Sequence, residues 1–348
     1  MAKDIGIGVI GIGMGATVAA INHDPASRLV VRALCSNRRE RLEAVARQWD
    51  IGFVTTDYRE LIGRSDVEIV GVFSPDHLHA EHALAALNAG KHVICTKPMV
   101  TRVDDAAELV RTVDRTGLKF LVGQTMRFEP QFTAARRMLD DNELGEIALA
   151  EAHYVHDLRH LLPLTPWRLT APQDLMYGGV SHPIDLLRWF FGNVRTVHAL
   201  GCKGRTMPDY PLIDNFIVNL QFENDVIARV LGAYGVVHPP MPMMALGLYG
   251  DRGSLQATYS DLKGGQVQYV LDKFDTLPVA TVPFAAETEG AYGHGNTTLR
   301  YLRHFEECLI HDRQPSPGVR DGARSIATCA AAWESVHGGQ VVTVFNDF

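Results

Sequence analysis

The sequence predicts an α/β chain, with a doubly wound parallel sheet at the N-terminus and a second, α+β domain after it. Three observations predict this. Short apolar, β-branched runs alternate with helical stretches through the first third, as in parallel sheets buried on both faces. The first of these runs ends in a glycine-rich turn that leads into a helix. Beyond about residue 125 strand-like stretches dominate, and one adjacent pair reads as a hairpin, which requires antiparallel pairing.

The elements follow in order. Ile5 to Ile10 is a strand, residues 14–23 a helix, and Leu29 to Cys35 a second strand. Arg38 to Trp49 is an amphipathic helix whose apolar stripe is Leu42, Val45 and Ala46. Val67 to Phe73 is a strand, and Leu78 to Ala89 a helix stopped by Gly90. Val93 to Cys95 and Phe120 to Val122 are strands flanking a helix, Val103 to Arg115, which Gly117 ends. After the helix Gln131 to Leu139, strands are expected at 147–155, 194–202, 212–222, 225–235, 243–250 and 265–271. The pair within 216–235 turns at Asn224-Asp225. Helices return at 180–191, 297–311 and 319–336. With 348 residues the chain suits two hydrophobic cores, and the boundary is expected near 125, giving domains 1–125 and 126–348.

Composition narrows the function classes. Hydrophobic residues make up 46% and charged residues 21%, as in an ordinary globular protein. The net charge of -7 argues against nucleic-acid binding by the surface as a whole. The five cysteines (Cys35, Cys95, Cys202, Cys308 and Cys329) form no C-x-x-C pair and are odd in number. That speaks against a disulfide framework or a structural zinc site. Free thiols, an N-terminus without a signal-peptide pattern and the lack of a membrane-length apolar run make the cytoplasm the expected location.

The glycine turn carries the first chemistry. Gly11-Ile12-Gly13-Met14-Gly15-Ala16 has the spacing G-x-G-x-x-A between a strand and a helix. Gly11 permits the tight turn, Gly13 lets the backbone approach a pyrophosphate, and Ala16 is small enough for the helix to pack on the strand. Backbone N–H groups at the helix start, from Ile12 to Met14 onward, suit phosphate binding. This is a dinucleotide-binding, Rossmann-type turn. The second strand runs out into Cys35-Ser36-Asn37-Arg38-Arg39, where an NAD-preferring site usually places an acid. Ser36 and Asn37 suit hydrogen bonds to a 2′-phosphate, and Arg38 or Arg39 its charge, so NADP is expected over NAD.

A longer signature follows. Residues 74–100 read SPDHLHAEHALAALNAGKHVICTKPMV. This resembles the Gfo/Idh/MocA oxidoreductase family, which shows a P-x-x-x-H turn, a helix, A-G-K-H-V and a terminal E-K-P. Pro75, His79, Gly90, Lys91, His92, Lys97 and Pro98 match, while Thr96 stands in place of the glutamate. Gly123-Gln124-Thr125-Met126-Arg127-Phe128 resembles V-G-x-N-x-R-F, with Thr125 in place of asparagine. Trp167-Arg168, His182 to Asp185, Gly250 to Leu255 and Gly338-Gly339 also fit, so the likeness covers nearly the whole chain. It implies a large, mostly antiparallel open sheet in the second domain, and homodimers or homotetramers formed through that sheet. It also implies a cis peptide before Pro98 and cofactor contacts at Ser74, Pro75, His79, Lys97, Pro98 and Gln124.

Hydride transfer involving a hydroxyl needs a group that moves the hydroxyl proton. Lys97 is the first candidate; burial beside a cationic nicotinamide favours the neutral amine. His182 is the second. It lies in Gly178-Gly179-Val180-Ser181-His182-Pro183-Ile184-Asp185, which resembles the family's D-x-G-x-H-x-x-D, with Gly178 where the first aspartate is expected. Tyr177 or a residue from 153 to 160 is a candidate replacement. Asp185, one helical turn from His182, together with Arg127, His156, Trp167 and Arg168, is expected to bind substrate. Arg159 and His160, in the loop with His156 and Trp167, are cleft candidates, and Tyr154 and His294 are weaker candidates of the same kind. The histidine groups 77/79/82 and 153/156/160 lack partners that complete a metal site, so no metal is expected.

These readings converge on reversible oxidation of a secondary alcohol on a sugar, polyol or related cyclic substrate. Two alternatives remain open in the sequence. One is a redox-neutral, glycosidase-like enzyme that oxidises its substrate transiently on bound NAD. The other is a dinucleotide-sensing protein without turnover. Gly178 favours the sensor; Lys97 and His182 speak against it.

Overall fold

The computed structural model describes residues 4–260, 264–272, 279–284 and 295–348. Among the described residues the chain divides into two compact units, the first built on residues 4–125 with 295–323 and 348, the second on residues 126–284 with 324–347.

The first unit holds a six-stranded sheet. Its strands are β1 (Ile5–Ile10), β2 (Leu29–Cys35), β3 (Phe53–Thr55), β4 (Ile69–Val72), β5 (His92–Thr96) and β6 (Phe120–Gly123). Their order is β3-β2-β1-β4-β5-β6, and every pairing is parallel. This is the doubly wound order, and it reverses between β1 and β4, where such sheets bind ligands. The sheet is buried on both faces, which explains the continuous apolar runs: all four residues of β4 and all four of β6 are buried. The helix Arg39–Gln48 turns Leu42, Val45 and Ala46 inward as its periodicity predicts. The helix Val103–Thr116 ends at Gly117, whose φ of +68° suits glycine and whose N–H donates to the Val113 carbonyl.

Two features of this unit differ from expectation. The segment Met14–His23 is a 3₁₀ helix. The Thr17 hydroxyl donates to the Met14 carbonyl at 2.8 Å, three residues back, which suits the tighter winding. The short elements β3 and Tyr58–Ile62 are additional; Asp57 caps the latter by accepting from the Arg59 N–H.

Residues 295–323 also pack with the first unit, although the sequence assigns them to the second domain. Glu306, on the helix Gly295–Ile310, accepts from the Arg28 N–H at 2.5 Å and from the Ser27 hydroxyl at 2.7 Å. Asp312 receives the Lys119 ammonium at 2.7 Å. These are long-range contacts that local pattern does not reveal.

The second unit carries nine strands among the described residues. They are β7 (Ile147–Val155), β8 (Val194–Cys202), β9 (Asn215–Phe222), β10 (Ile227–Ala233), β11 (Met244–Gly250), β12 (Gly253–Ser260), β13 (Gly264–Leu271), β14 (Ala280–Phe284) and β15 (Val342–Thr343). The sheet order is β14-β13-β12-β11-β7-β10-β9-β8-β15, antiparallel throughout except for β7 beside β10. The hairpin is β9–β10, with Asp225 at φ +67° in its turn. One face of the sheet is core: Ala150, Ala152, Phe216, Val218, Ala228, Val230, Leu246 and Leu248 are buried. The helices Pro130–Asp140 and Ser181–Phe191 pack against the sheet. The alternate residues Leu149, Leu200, Ile217, Ile227 and Tyr249 are exposed. No helix among the described residues is long and apolar enough to cross a membrane.

Candidate active site

The residues that the sequence suggests for nucleotide binding gather at the C-terminal ends of the parallel strands. Gly11 follows β1 with φ +96°, and a Cβ there would lie 2.3 Å from the Phe73 carbonyl oxygen, so only glycine fits. Around Gly13 nothing lies within 4 Å of a Cβ position, which leaves open space where a pyrophosphate would approach the backbone. Ile12 is buried beneath the turn and Met14 is half-buried. The close packing assigned to Ala16 falls instead on Gly15. A Cβ on Gly15 would meet Val9 Cγ1 at 2.8 Å and Phe73 Cβ at 3.0 Å, whereas Ala16 stays half-buried. The 3₁₀ winding turns position 15 toward the strand.

Beyond β2, Ser36 is half-buried and its hydroxyl accepts from the Arg38 N–H at 3.3 Å, while Asn37 and Arg38 are exposed. Arg39 pairs with Glu43 one turn on, at 3.1 Å. The Arg38 guanidinium has no ion pair among the described residues. Burial, followed by the charges of Asp57 and Glu60, pushes the Cys35 thiol up to about 12. Both of those acids are engaged near their own helix: Asp57 caps it, and Glu60 accepts from the Thr55 hydroxyl at 2.5 Å.

Beyond β4, Ser74 and Pro75 lead into the helix His79–Asn88. His79 is buried, with Nδ1 2.7 Å from the Pro98 carbonyl oxygen and Nε2 2.8 Å from the Ser74 carbonyl oxygen. One imidazole therefore ties the turn after β4 to the turn after β5. Burial lowers the His79 pKa, opposed by those two carbonyls and by Asp76. His82 hydrogen-bonds the Ser74 hydroxyl at 2.8 Å, and burial lowers its pKa to about 4. The Lys97-Pro98 bond is cis, and Lys97 is half-buried just past the end of β5. Gln124, one residue beyond β6, is buried with its carboxamide oxygen unpartnered among the described residues. An unpartnered buried acceptor suits a ligand that brings a donor. Open space over Gly13 and this oxygen together fit a nicotinamide dinucleotide lying along the strand ends.

The remaining candidates belong to the second unit. His182 is buried in the first turn of the helix Ser181–Phe191, directly after a π-helical turn, Met176–Val180. Asp185 follows one turn later, but its side chain is only 1% exposed. Arg127 donates through Nε and Nη2 to its two oxygens at 2.7 and 2.8 Å, and the Ser325 hydroxyl donates at 3.0 Å. With both oxygens bonded, Asp185 and Arg127 form a buried clamp on this helix instead of presenting charge to a substrate. Trp167 and Arg168 sit half-buried on the short helix Trp167–Thr170, the guanidinium stacked 5.6 Å from the indole centroid. His156 is half-buried just after β7, where its Nδ1 lies 3.3 Å from the Tyr154 hydroxyl. His294 lies outside the described residues.

Gln173 is the residue that sequence reasoning missed. A Cβ on Gly178 would lie 2.6 Å from Gln173 Cδ and 2.9 Å from its Nε2. The carboxamide thus fills the room where the family pattern places an acid. No local signal reveals this, because it depends on how the loop before the π-turn folds back. Asp157, within the 153–160 stretch, is engaged elsewhere. Arg159 donates to it at 2.9 Å and the His238 N–H at 3.2 Å, anchoring the loop after β7 and holding the carboxyl well below the usual range. Among the described residues no group of three or more His, Cys, Asp or Glu is arranged to hold a metal ion.

Residues 5–124 match the profile described as "Oxidoreductase family, NAD-binding Rossmann fold" (Gfo/Idh/MocA), and residues 136–344 match its "C-terminal alpha/beta domain". The chain belongs to the Gfo/Idh/MocA oxidoreductase family. Levoglucosan dehydrogenase of Pseudarthrobacter phenanthrenivorans is 25% identical over 86% of this oxidoreductase and 85% of that protein. Inositol 2-dehydrogenase 3 of Saccharopolyspora erythraea is 29% identical over 82% of this chain and 79% of its own. A solved structure of levoglucosan dehydrogenase in complex with NADH superposes with a TM-score of 0.88 at 22% identity, covering 99% of this chain and 100% of that one. That likeness shows a shared fold.

Proposed function

We propose that this oxidoreductase interconverts a secondary alcohol and a ketone on a sugar, polyol or related cyclic substrate, using NADP in preference to NAD. The observation that carries the reading is the placement of Gly11, Ser74, Lys97 and Gln124 at or just beyond the ends of four adjacent parallel strands. The relatives named for levoglucosan and inositol support the substrate class.

In this reading the backbone from Gly11 through Ala16 holds the pyrophosphate, and Ser36, Asn37 and Arg38 take the adenosine ribose with its 2′-phosphate. Ser74, Pro75, His79, Pro98 and Gln124 shape the floor under the nicotinamide. The bound nicotinamide supplies the hydride acceptor or donor. Lys97 and His182 accept the hydroxyl proton during oxidation and return it during reduction. His156, Trp167 and Arg168 contact the substrate, while Arg127 and Asp185 fix the helix that carries His182. The five free thiols support a reducing, cytoplasmic setting.

The test is a spectrophotometric screen of sugars and polyols with NAD and NADP in separate arms. Reduction of NADP by a subset of polyols is the expected result; no reduction of either cofactor across the panel overturns the reading. Arg38→Ala carries the cofactor assignment. Because Arg38 is exposed and has no ion pair among the described residues, its loss is expected to weaken NADP binding about tenfold or more and leave NAD binding nearly unchanged. Tighter wild-type binding of NAD than of NADP contradicts the assignment.

The apolar residues exposed on one face of the second sheet among the described residues support a homodimer or homotetramer formed there, since monomers rarely expose a large apolar patch. Light scattering at micromolar concentration is expected to report two or four chains, and a monomer contradicts this.

A further inference from the structure

We propose that Tyr154 and His156 replace the acid missing at Gly178, carrying the reaction's proton between His182 and solvent. The proposal rests on the dehydrogenase reading above and deepens it.

The need comes from Gln173. At neutral pH a carboxamide accepts hydrogen bonds but does not take up a proton, so the side chain filling the space beside Gly178 cannot relay one. The route comes from a row of side chains that leads outward from His182. The His182 ring packs edge-on against Tyr154, with centroids 5.5 Å apart. The Tyr154 hydroxyl lies 3.3 Å from Nδ1 of His156. The His156 ring lies 5.6 Å from that of His160, which is exposed. Burial therefore decreases along the row from His182 to His160. The 3.3 Å step is within direct hydrogen-bond reach, and the two ring-to-ring steps each need a bridging water.

The surroundings keep the row in place. Tyr154 stands opposite Gly232 on β10 and Met244 on β11, so small or apolar residues flank it. The Tyr234 ring meets it edge-on at 5.3 Å, and burial keeps that phenol protonated. Gly179 and Gly232 provide room for Tyr234; a Cβ on Gly179 would lie 2.3 Å from its hydroxyl. Next to His156, the Asp157 carboxylate is already held by Arg159 and the His238 N–H. It therefore anchors the loop and leaves His156 to the row.

During alcohol oxidation the carbinol C–H bond breaks and its electron pair leaves as hydride to the oxidised nicotinamide. The hydroxyl proton taken up by Lys97 and His182 leaves by way of His182. Tyr154 receives a proton from the His182 side and gives its own to His156 Nδ1. His156 releases its Nε2 proton through His160 to water, and rotation or tautomer exchange resets the row. Reduction runs the same path inward.

The experiment compares Tyr154→Phe, His156→Gln and wild type. Steady-state kcat for oxidation is expected to fall about tenfold or more in both variants, with cofactor affinity little changed in both and KM little changed in Tyr154→Phe. Added imidazole restores much of kcat in the variants and does nothing to wild type, a readout that a purely structural defect does not give. In parallel, 15N NMR of the ligand-free protein follows the His156 tautomer, which Tyr154→Phe is expected to change. Wild-type kcat at every buffer concentration, or an unaltered His156 tautomer in Tyr154→Phe, overturns the relay. A wild type that oxidises no polyol overturns the dehydrogenase reading instead, and the NMR arm still reports on the Tyr154–His156 bond.

Discussion

Replacing Lys97 by alanine is expected to lower kcat by roughly 10²- to 10⁴-fold while cofactor affinity stays within a few-fold of wild type. Lys97 follows β5 directly, half-buried, at the end of the sheet where Gly11 and Gln124 also lie. Its backbone is fixed by its neighbours: the Pro98 carbonyl oxygen sits 2.7 Å from His79 Nδ1, and Met99 is buried against Gly322. Truncation at Cβ therefore removes the amine without freeing the turn. Cofactor binding, spread over the glycine turn and the residues after β2, keeps its contacts. Stopped-flow reduction and fluorescence titration of the cofactor separate the two effects. Equal loss of both, or loss of neither, contradicts the assignment.

Arg127→Met is expected to destabilise the second unit by about 3–5 kcal/mol, the usual cost of leaving a buried charge without its partner. Asp185 is 1% exposed, and its bonds are to Arg127 and the Ser325 hydroxyl. Without the guanidinium, one hydroxyl remains for a carboxylate cut off from water. Arg188, which reaches the same serine at 3.1 Å, lies near enough to soften the loss without replacing a two-pronged contact. The double variant Arg127→Met, Asp185→Leu removes both charges and is expected to recover most of the stability. Urea unfolding of the three proteins measures this. A single variant as stable as wild type shows that the pair does not hold the helix.

The sequence reading is closest to the structure where chemistry is local. Gly11, Gly90 and Gly117 mark turns at positive φ, and β1 and β2 have the expected boundaries. Alternation located β7 and the β9–β10 hairpin, because one face of each strand is core. β3 is three residues long, too short to show a period. In β12, Leu255, Ala257 and Tyr259 alternate with polar neighbours, the pattern of a strand with one buried face.

Spacing was a weaker guide at the site. It placed Asp185 on the same helix as His182, one turn away, but not the Arg127 and Ser325 that occupy its oxygens. It gave residue 16 the close packing against β1, and the 3₁₀ winding moves that contact to Gly15. It identified the acid missing at Gly178, while the Gln173 that fills the gap became visible only once the loop was folded. The first depends on a contact distant in sequence, the second on a helix type that residue propensity does not encode, and the third on the backbone path between residues 173 and 178.

The central claim is direct hydride exchange between a substrate carbinol and the nicotinamide, and isotope transfer tests it most directly. A polyol found active in the screen is deuterated at the carbon to be oxidised and incubated with enzyme and oxidised cofactor, and the reduced cofactor is examined by NMR. The account predicts deuterium at C4 of the nicotinamide, on one face only, in step with ketone formation. Product that forms while the cofactor ends oxidised and unlabelled points to redox-neutral chemistry and contradicts it.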